Sequence, residues 1–157
     1  MRIPTAFQRR AVLLAAFAFG WSFSLAAAAD DVKVFAAKAF QPVVTAVAPA
    51  FEKRTGHKVV VVSEGVDALA ERLRRGEEFD LAVLPPALLE ALAKDGAVSD
   101  GSIILLARDL PGRANAGVYA GAVSTMASNS NAALSLLILL ASEDTQATFK
   151  ANGLAAP

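Results

Sequence analysis

The fold is decided by residues 58–98, which read KVVVVSEGVDALAERLRRGEEFDLAVLPPALLEALAKDGAV. A β-branched run at residues 58–62 is followed by a helical stripe of apolar residues that ends at Gly76. Residues 81–84 then repeat the strand, and residues 87–94 repeat the helix. Strands that alternate with helices predict a parallel sheet with right-handed crossovers and helices on both faces.

The flanking sequence extends this pattern. Residues 32–35 form a short apolar strand, and a helix runs from Phe40 to the glycine at position 56. Pro49 removes an internal hydrogen bond, so we expect it to kink this helix or to divide it into two shorter ones. Downstream we predict two more strands and two more helices, at residues 102–107, 117–126, 132–141 and 143–152.

The N-terminal residues have the layout of a cleavable secretory signal. Three arginines lie within the first ten residues, residues 11–25 are an apolar run, and residues 26–29 are all alanine. The apolar run is shorter than the roughly 20 residues that span a bilayer. We therefore predict that residues 1–29 are a signal peptide and that residues 30–157 fold as one domain. An adjacent arginine pair leaves export by the twin-arginine route open.

The composition excludes several classes of function. The 157 residues contain 15 Lys and Arg against 15 Asp and Glu, one histidine and no cysteine. The balanced charge gives no electrostatic reason to expect nucleic acid, and the lack of cysteine excludes disulfides and thiolate chemistry. A single histidine, His57, leaves little room for an imidazole metal cluster or a Ser-His-Asp triad. We predict a protein that is not an enzyme and that carries no cofactor or metal.

Three short motifs follow one another along the chain. They are FEKRTG at residues 51–56, GEEFD at residues 76–80, and LAS at residues 140–142 followed by FK at residues 149–150 and Gly153. In this order and spacing they resemble the molybdate-binding-protein-like receptors, which are type 2 periplasmic substrate-binding proteins of ABC transporters. Those receptors hold their ligand between two lobes.

The resemblance covers most of residues 31–98 and 101–157. It implies one lobe of the type 2 fold, an α/β domain with a mostly parallel five-stranded sheet and helices on both faces. The residues that build the opposing lobe have no counterpart here. After Val98 a few polar residues lead to Ser102, where the sequence resembles the segment that returns from the second lobe. We therefore expect the departure from the family pattern to lie between these two residues.

The resemblance also implies where a ligand binds. In open parallel sheets, ligands collect beyond the carboxyl ends of the strands. In these receptors, hydroxyls and backbone amides of the first two strand–helix loops hold a tetrahedral oxyanion. The candidate ligand-binding residues are Ala37, Lys38, Ser63, Glu64 and Gly65. Glu64 would repel an anion, which favours a zwitterionic, cationic or neutral solute; the alternative is that Lys38 and Glu64 simply pair across the loop tips.

The function that the resemblance implies is that of an exported, periplasmic solute-binding protein serving an ABC-type transporter, with a membrane permease as a candidate partner. A half-cleft encloses little of its ligand, so we expect weak binding of a small molecule. A homodimer through the former cleft face would supply a second wall. Two alternatives stay open: a periplasmic protein-interaction module, and a degenerate one-lobe derivative without solute binding.

Overall fold

Residues 31–112 and 116–157 are described by a computed structural model. The predicted signal peptide, residues 1–29, lies outside the described residues. Among the helices of the two described ranges, none is long and apolar enough to cross a membrane.

The described residues form six strands, five α-helices and two short 3-10 turns. The strands are β1 Val32–Ala37, β2 Val59–Glu64, β3 Leu81–Leu84, β4 Ile104–Asp109, β5 Val118–Val123 and β6 Leu154–Ala155. The helices are α1 Gln41–Thr55, α2 Val66–Arg74, α3 Pro86–Lys94, α4 Ser130–Leu140 and α5 Gln146–Ala151. The 3-10 turns are Asp100–Ser102 and Glu143–Thr145, and the second of these replaces the first turn of the helix predicted at residues 143–152.

The strands form a single sheet in the order β2-β1-β3-β5-β4-β6. β1 pairs in parallel with β2 and β3, whereas β5 is antiparallel to β3 and to β4, and β6 is antiparallel to β4. The predicted α/β lobe is confirmed, with its parallel pairing concentrated in the half around β1. Six strands replace the expected five because β6 has only two residues, too few to show an alternating pattern.

Helices cover both faces of the sheet. α1 connects β1 to β2 on one side, whereas α2 connects β2 past β1 to β3 on the other. Because both crossovers are expected to be right-handed, these opposite directions place α1 and α2 on opposite faces. α1 also contacts α4 and α5, which return after the last long strand.

Helix α1 passes through Pro49 as one continuous element. The proline deprives the carbonyl of Thr45, four residues earlier, of its helical partner. Both residues are exposed, so water can satisfy that carbonyl. The helix ends at Gly56, whose φ of 79° is left-handed and whose N–H donates to the carbonyl of Glu52 at 2.8 Å. The alternative of two shorter helices is therefore wrong.

A buried aromatic cluster fixes the start of α1. The ring of Phe40 lies 5.7 Å from that of Tyr119 and 5.8 Å from that of Phe149, measured between centroids. The hydroxyl of Tyr119 donates to Oδ2 of Asp109 at 3.0 Å. Tyr119 thus serves packing, as is usual for an aromatic residue in a strand. Since Phe40 follows β1 after only two intervening residues, the cluster also holds the end of that strand in place.

Candidate functional site

The five candidate residues come together where β1 and β2 end. Ala37 lies opposite Glu64 in the parallel register, and the backbone N–H of Lys38 donates to the carbonyl of Glu64 at 3.0 Å. Gly65 follows as the residue that precedes α2. We call Ala37, Lys38, Ser63, Glu64 and Gly65 the strand-end site. The sequence pattern located this group because parallel strands end at the same edge of a sheet.

Two helices begin beside the strand-end site. α1 starts after Phe40 and α2 starts after Gly65, and neither helix has a side-chain cap among the described residues. A helix N-terminus carries free N–H groups and a positive partial charge. At α1 the supply of free N–H groups is reduced, because Pro42 has none and the N–H of Phe40 donates to the carbonyl of Ala37 at 2.8 Å. α2 therefore offers more backbone donors than α1.

Ser63 carries an unused hydroxyl into this site. Its Oγ is shielded from solvent and has no hydrogen-bond partner among the described residues. A buried hydroxyl without a partner destabilises the fold by about 1 to 3 kcal/mol relative to a satisfied one. A solute that forms a hydrogen bond with this hydroxyl would remove the penalty, and such contact requires a local opening because the Oγ is shielded from solvent.

Ser63 and Glu64 direct their side chains to opposite faces of the sheet. Successive side chains alternate along a strand, and Glu64 contacts Arg72 of α2, so its carboxylate lies on the α2 face. The hydroxyl of Ser63 therefore lies on the α1 face. The site is a strip along the end of the sheet, and the side chains of Ser63 and Glu64 belong to different faces of that sheet.

Glu64 pairs with Arg72 and not with Lys38. Oε1 of Glu64 lies 2.5 Å from Nη1 of Arg72. Lys38 is exposed and makes no ion pair with any residue in ranges 31–112 and 116–157. The expected pair between Lys38 and Glu64 is therefore wrong, because a guanidinium that forms hydrogen bonds in a fixed geometry is the stronger partner.

Arg72 belongs to a chain of ion pairs along the α2 face. Its Nε and Nη2 donate to the two carboxylate oxygens of Glu77 at 2.6 and 2.7 Å, and Nζ of Lys33 donates to Glu77 at 2.9 Å. The bidentate bond from Arg72, followed by the bond from Lys33, lowers the pKa of Glu77 to about 2. The same contact with Glu77 raises the pKa of Arg72 further above its usual range. Neither Arg72 nor Glu77 is among the candidate residues named from the sequence.

The sequence signal that could have identified Arg72 as a partner of Glu64 is the spacing between these two residues. Residues 64 and 72 are separated by eight positions across the β2–α2 turn, and Glu77 follows Gly76, whose φ is 76°. This left-handed glycine turns the chain back after α2, so that Glu77 meets the helix it has just left. The numbers of acidic and basic residues alone do not reveal that Glu77 turns back to contact α2.

His57, the single histidine, lies away from the strand-end site. Nδ1 of His57 lies 3.3 Å from Nδ2 of Asn129, and His57 precedes β2, at the end of that strand away from the strand-end site. Within the described ranges, no group of three His, Asp or Glu residues is placed to hold a metal ion.

The comparisons with known proteins agree with this fold. The sequence model of the bacterial extracellular solute-binding protein family matches residues 32–110. This range is half of the chain, and the chain therefore belongs to that family. A comparison with curated protein sequences gives no match.

Several solved structures share the fold at low sequence identity. The substrate-binding domain of a molybdenum ABC transporter from Clostridium difficile superposes with a TM-score of 0.72 and 10% identity, covering 82% of this chain and 100% of that chain. The periplasmic molybdate-binding protein of Azotobacter vinelandii gives 0.71 and 12%, covering 81% and 100%. The sulfate-binding protein SubI of Mycobacterium tuberculosis H37Rv gives 0.66 and 10%, covering 82% and 87%.

The family match runs through the segment where we expect the departure from the family pattern. It includes residues 98–102 and ends at Leu110, so β4 belongs to the matched range. β4 is antiparallel to β5, as β3 is, so β4 points the same way as β1 to β3. The connection from β4 to β5 consequently leaves the sheet on the side of the strand-end site.

Proposed function

We propose that this protein is exported and binds a small solute at the strand-end site on behalf of an ABC-type transporter. Membership of the solute-binding family supports the class of function. The observation that carries the location is the solvent-shielded, unpartnered Oγ of Ser63, close to the carboxyl end of β2. A hydroxyl, free backbone amides and the ammonium group of Lys38 are the donors available there.

The solute that fits best is a small anion. From the sequence, Glu64 disfavoured anions because its carboxylate was expected where an anionic solute would bind. Its carboxylate now lies within an ion pair with Arg72, which offsets that charge, while Lys38 remains available. Similar folds are found in proteins described as binding molybdate and sulfate, which supports the choice of tetrahedral oxyanions as first probes.

Binding is weak in the monomer. The strand-end site is an exposed strip with one wall, whereas tight pockets enclose about 70–90% of their ligand. Lys38 and Gly65 are both exposed, so water competes with the solute at these positions. Charge attraction at such an exposed position is also screened by salt.

A second copy of the chain supplies the missing wall. In this proposal two lobes associate through the face that carries the strand-end site. A two-fold interface places the same surface of each copy against the other, so both sites close together. Sedimentation with and without solute tests this arrangement, since a solute-dependent shift from monomer to dimer is expected and an unchanged monomer contradicts it.

Calorimetry of the purified protein tests the proposed site. Molybdate and sulfate are the anionic probes, glycine is the zwitterionic probe and glucose is the neutral one. We expect weak, saturable binding of an oxyanion that falls about threefold to tenfold in Ser63→Ala, the loss of one hydrogen bond. Ser135→Ala, an exposed helix serine, is the control and should bind as the wild type does. Equal affinities in both variants would contradict the placement.

Export is tested separately. The periplasmic fraction of cells that express the full chain should contain a product whose N-terminal residue is Asp30, because cleavage follows the alanine run at residues 26–29. A full-length product confined to the cytoplasm would overturn the proposal of export. It would leave the calorimetric result untouched.

A further inference from the structure

We propose that Arg72 determines the charge specificity of the strand-end site by holding the carboxylate of Glu64 on the α2 face, which leaves the ammonium group of Lys38 available to an anionic solute. This inference rests on the proposed solute-binding function. Arg72 itself is a positioning residue, because it acts on the solute through Glu64. The strand-end site as defined above does not include it.

The geometry of Arg72 is well suited to this role. One edge of its guanidinium meets Glu64 through Nη1, and the other donors, Nε and Nη2, are occupied by the two oxygens of Glu77. A guanidinium that is held from two sides by carboxylates presents its donors in a fixed orientation. The guanidinium is therefore held in one orientation next to the carboxylate of Glu64.

The aromatic ring of Phe35 also restricts the position of the Arg72 side chain. Its guanidinium carbon lies 5.3 Å from the centroid of the Phe35 ring, and Nζ of Lys33 lies 5.2 Å from the same ring. Phe35 is fully buried, and the side chain of Arg72 is only 24% exposed. Cation–π contact and partial burial both restrict the side chain. The ion pair with Glu64 is consequently more ordered than a pair between two fully exposed side chains.

Lys38 is the competing partner for Glu64. The two residues follow adjacent strand ends, and the backbone N–H of Lys38 already bonds to the carbonyl of Glu64. If the carboxylate were released from Arg72, it could pair with this ammonium group and neutralise the single cation of the strand-end site. A free carboxylate at that position would in addition repel an incoming anion. Arg72 prevents both effects.

The experiment compares sulfate binding by four variants at low ionic strength, where charge effects are least screened. They are Arg72→Gln, Glu64→Gln, the double variant of these two, and Arg74→Gln as the matched control. Arg74 pairs with Glu71 on the same helix and is 68% exposed, so its loss removes one positive charge without touching Glu64.

Arg72→Gln should lose about tenfold in sulfate affinity, since Glu64 then stands unbalanced beside the site. The double variant should recover to within about threefold of the wild type, because the released carboxylate is gone. Arg74→Gln should change affinity by less than about twofold, as expected for an exposed charge. A role in stability alone would not produce recovery in the double variant.

Melting temperatures show whether each variant is folded. If Arg72→Gln does not fold, Glu64→Gln decides the matter, because removal of the carboxylate from the site should tighten sulfate binding by about twofold or more. Unchanged or weaker binding by that variant, or wild-type affinity in folded Arg72→Gln, would overturn the role of Arg72 while leaving the proposed function intact. Absence of binding to any probe by the wild type would overturn the proposed function and this inference with it.

Discussion

Asp80 and Lys33 exchange two hydrogen bonds between neighbouring strands. Oδ2 of Asp80 accepts from the backbone N–H of Lys33 at 2.8 Å, and the N–H of Asp80 donates to the carbonyl of Lys33 at 2.9 Å. Oδ1 of the same carboxylate accepts from the N–H of Asn129 at 3.3 Å, just before α4. One buried side chain thus connects β1, the start of β3 and the N-terminal end of α4.

Replacing Asp80 by alanine should lower the free energy of unfolding by about 2 to 4 kcal/mol, because two backbone donors lose a charged acceptor in a buried position. Asp80 is 3% exposed, so water does not readily replace the carboxylate. Chemical denaturation measures the change. Asp95→Ala, at the exposed end of α3, is the control and should stay within about 0.5 kcal/mol of the wild type. Equal effects at the two positions would refute the role of Asp80.

Gly121 in β5 is required by close packing. A Cβ at this position would lie 2.4 Å from Cδ1 of Leu137 and 3.1 Å from Cδ1 of Leu106. Both leucines are buried, so they can move aside only by disturbing the core. Gly121→Ala should therefore destabilise the fold by about 1 to 3 kcal/mol. Gly101→Ala is the control, because a Cβ at this position meets nothing within 4 Å, and it should be close to neutral. Thermal melting measures both variants. A lower melting temperature for Gly101→Ala than for Gly121→Ala would contradict the close packing at Gly121.

Ser63→Ala should leave the free energy of unfolding unchanged or raise it by up to about 1 kcal/mol, since it removes a buried hydroxyl without a partner. Ser124→Ala is the matched control, because Oγ of Ser124 is in a buried residue and accepts from the N–H of Met126 at 3.1 Å. That substitution should destabilise by about 1 kcal/mol. A large loss of stability in Ser63→Ala would mean that its hydroxyl has a structural partner after all.

The ion pairs of Glu77 predict an acid-sensitive fold. Its pKa is lowered from 4.5 to about 2 by Arg72 and Lys33, so the stabilisation is fully present above pH 4.5. It is lost progressively as the pH falls from 4.5 towards about 2, when the folded state must also accept the proton. Melting temperatures of wild type and Glu77→Gln should therefore differ most above pH 4.5 and converge near pH 2.

Glu78→Gln is the control for this measurement. Glu78 is exposed, and its substitution should leave the pH profile of the wild type unchanged. A constant gap between wild type and Glu77→Gln across the whole pH range would contradict the assignment of the acid transition to Glu77.

The parallel half of the sheet followed directly from the sequence, because each strand near β1 is an apolar run and the helices after β1 and β2 end at glycines 56 and 76. Local patterns of this kind carry the information for strands and helices. β6 was missed because two residues have no periodicity. The antiparallel pairing of β5 with β3 depends on packing between segments that are far apart in the sequence. Local sequence patterns do not encode such packing.

The grouping of the five candidate residues was predicted from the sequence, because Ala37 and Glu64 end adjacent parallel strands. The charge arrangement among them was not. Lys38 and Glu64 are neighbours in the sheet, but the turn at Gly76 returns Glu77 to α2 and so fixes Arg72 as the partner of Glu64. Which of two cations a carboxylate selects depends on this three-dimensional geometry.

Titration of the ¹⁵N-labelled protein with sulfate, followed by NMR of the backbone amides, examines most directly whether a solute is held where β1 and β2 end. Saturable shifts are expected at residues 37–39 and 63–67, with much smaller changes at α3 and α5. Shifts confined to other surfaces, or no saturable shift for sulfate, molybdate, glycine or glucose, would contradict solute binding at this edge of the sheet.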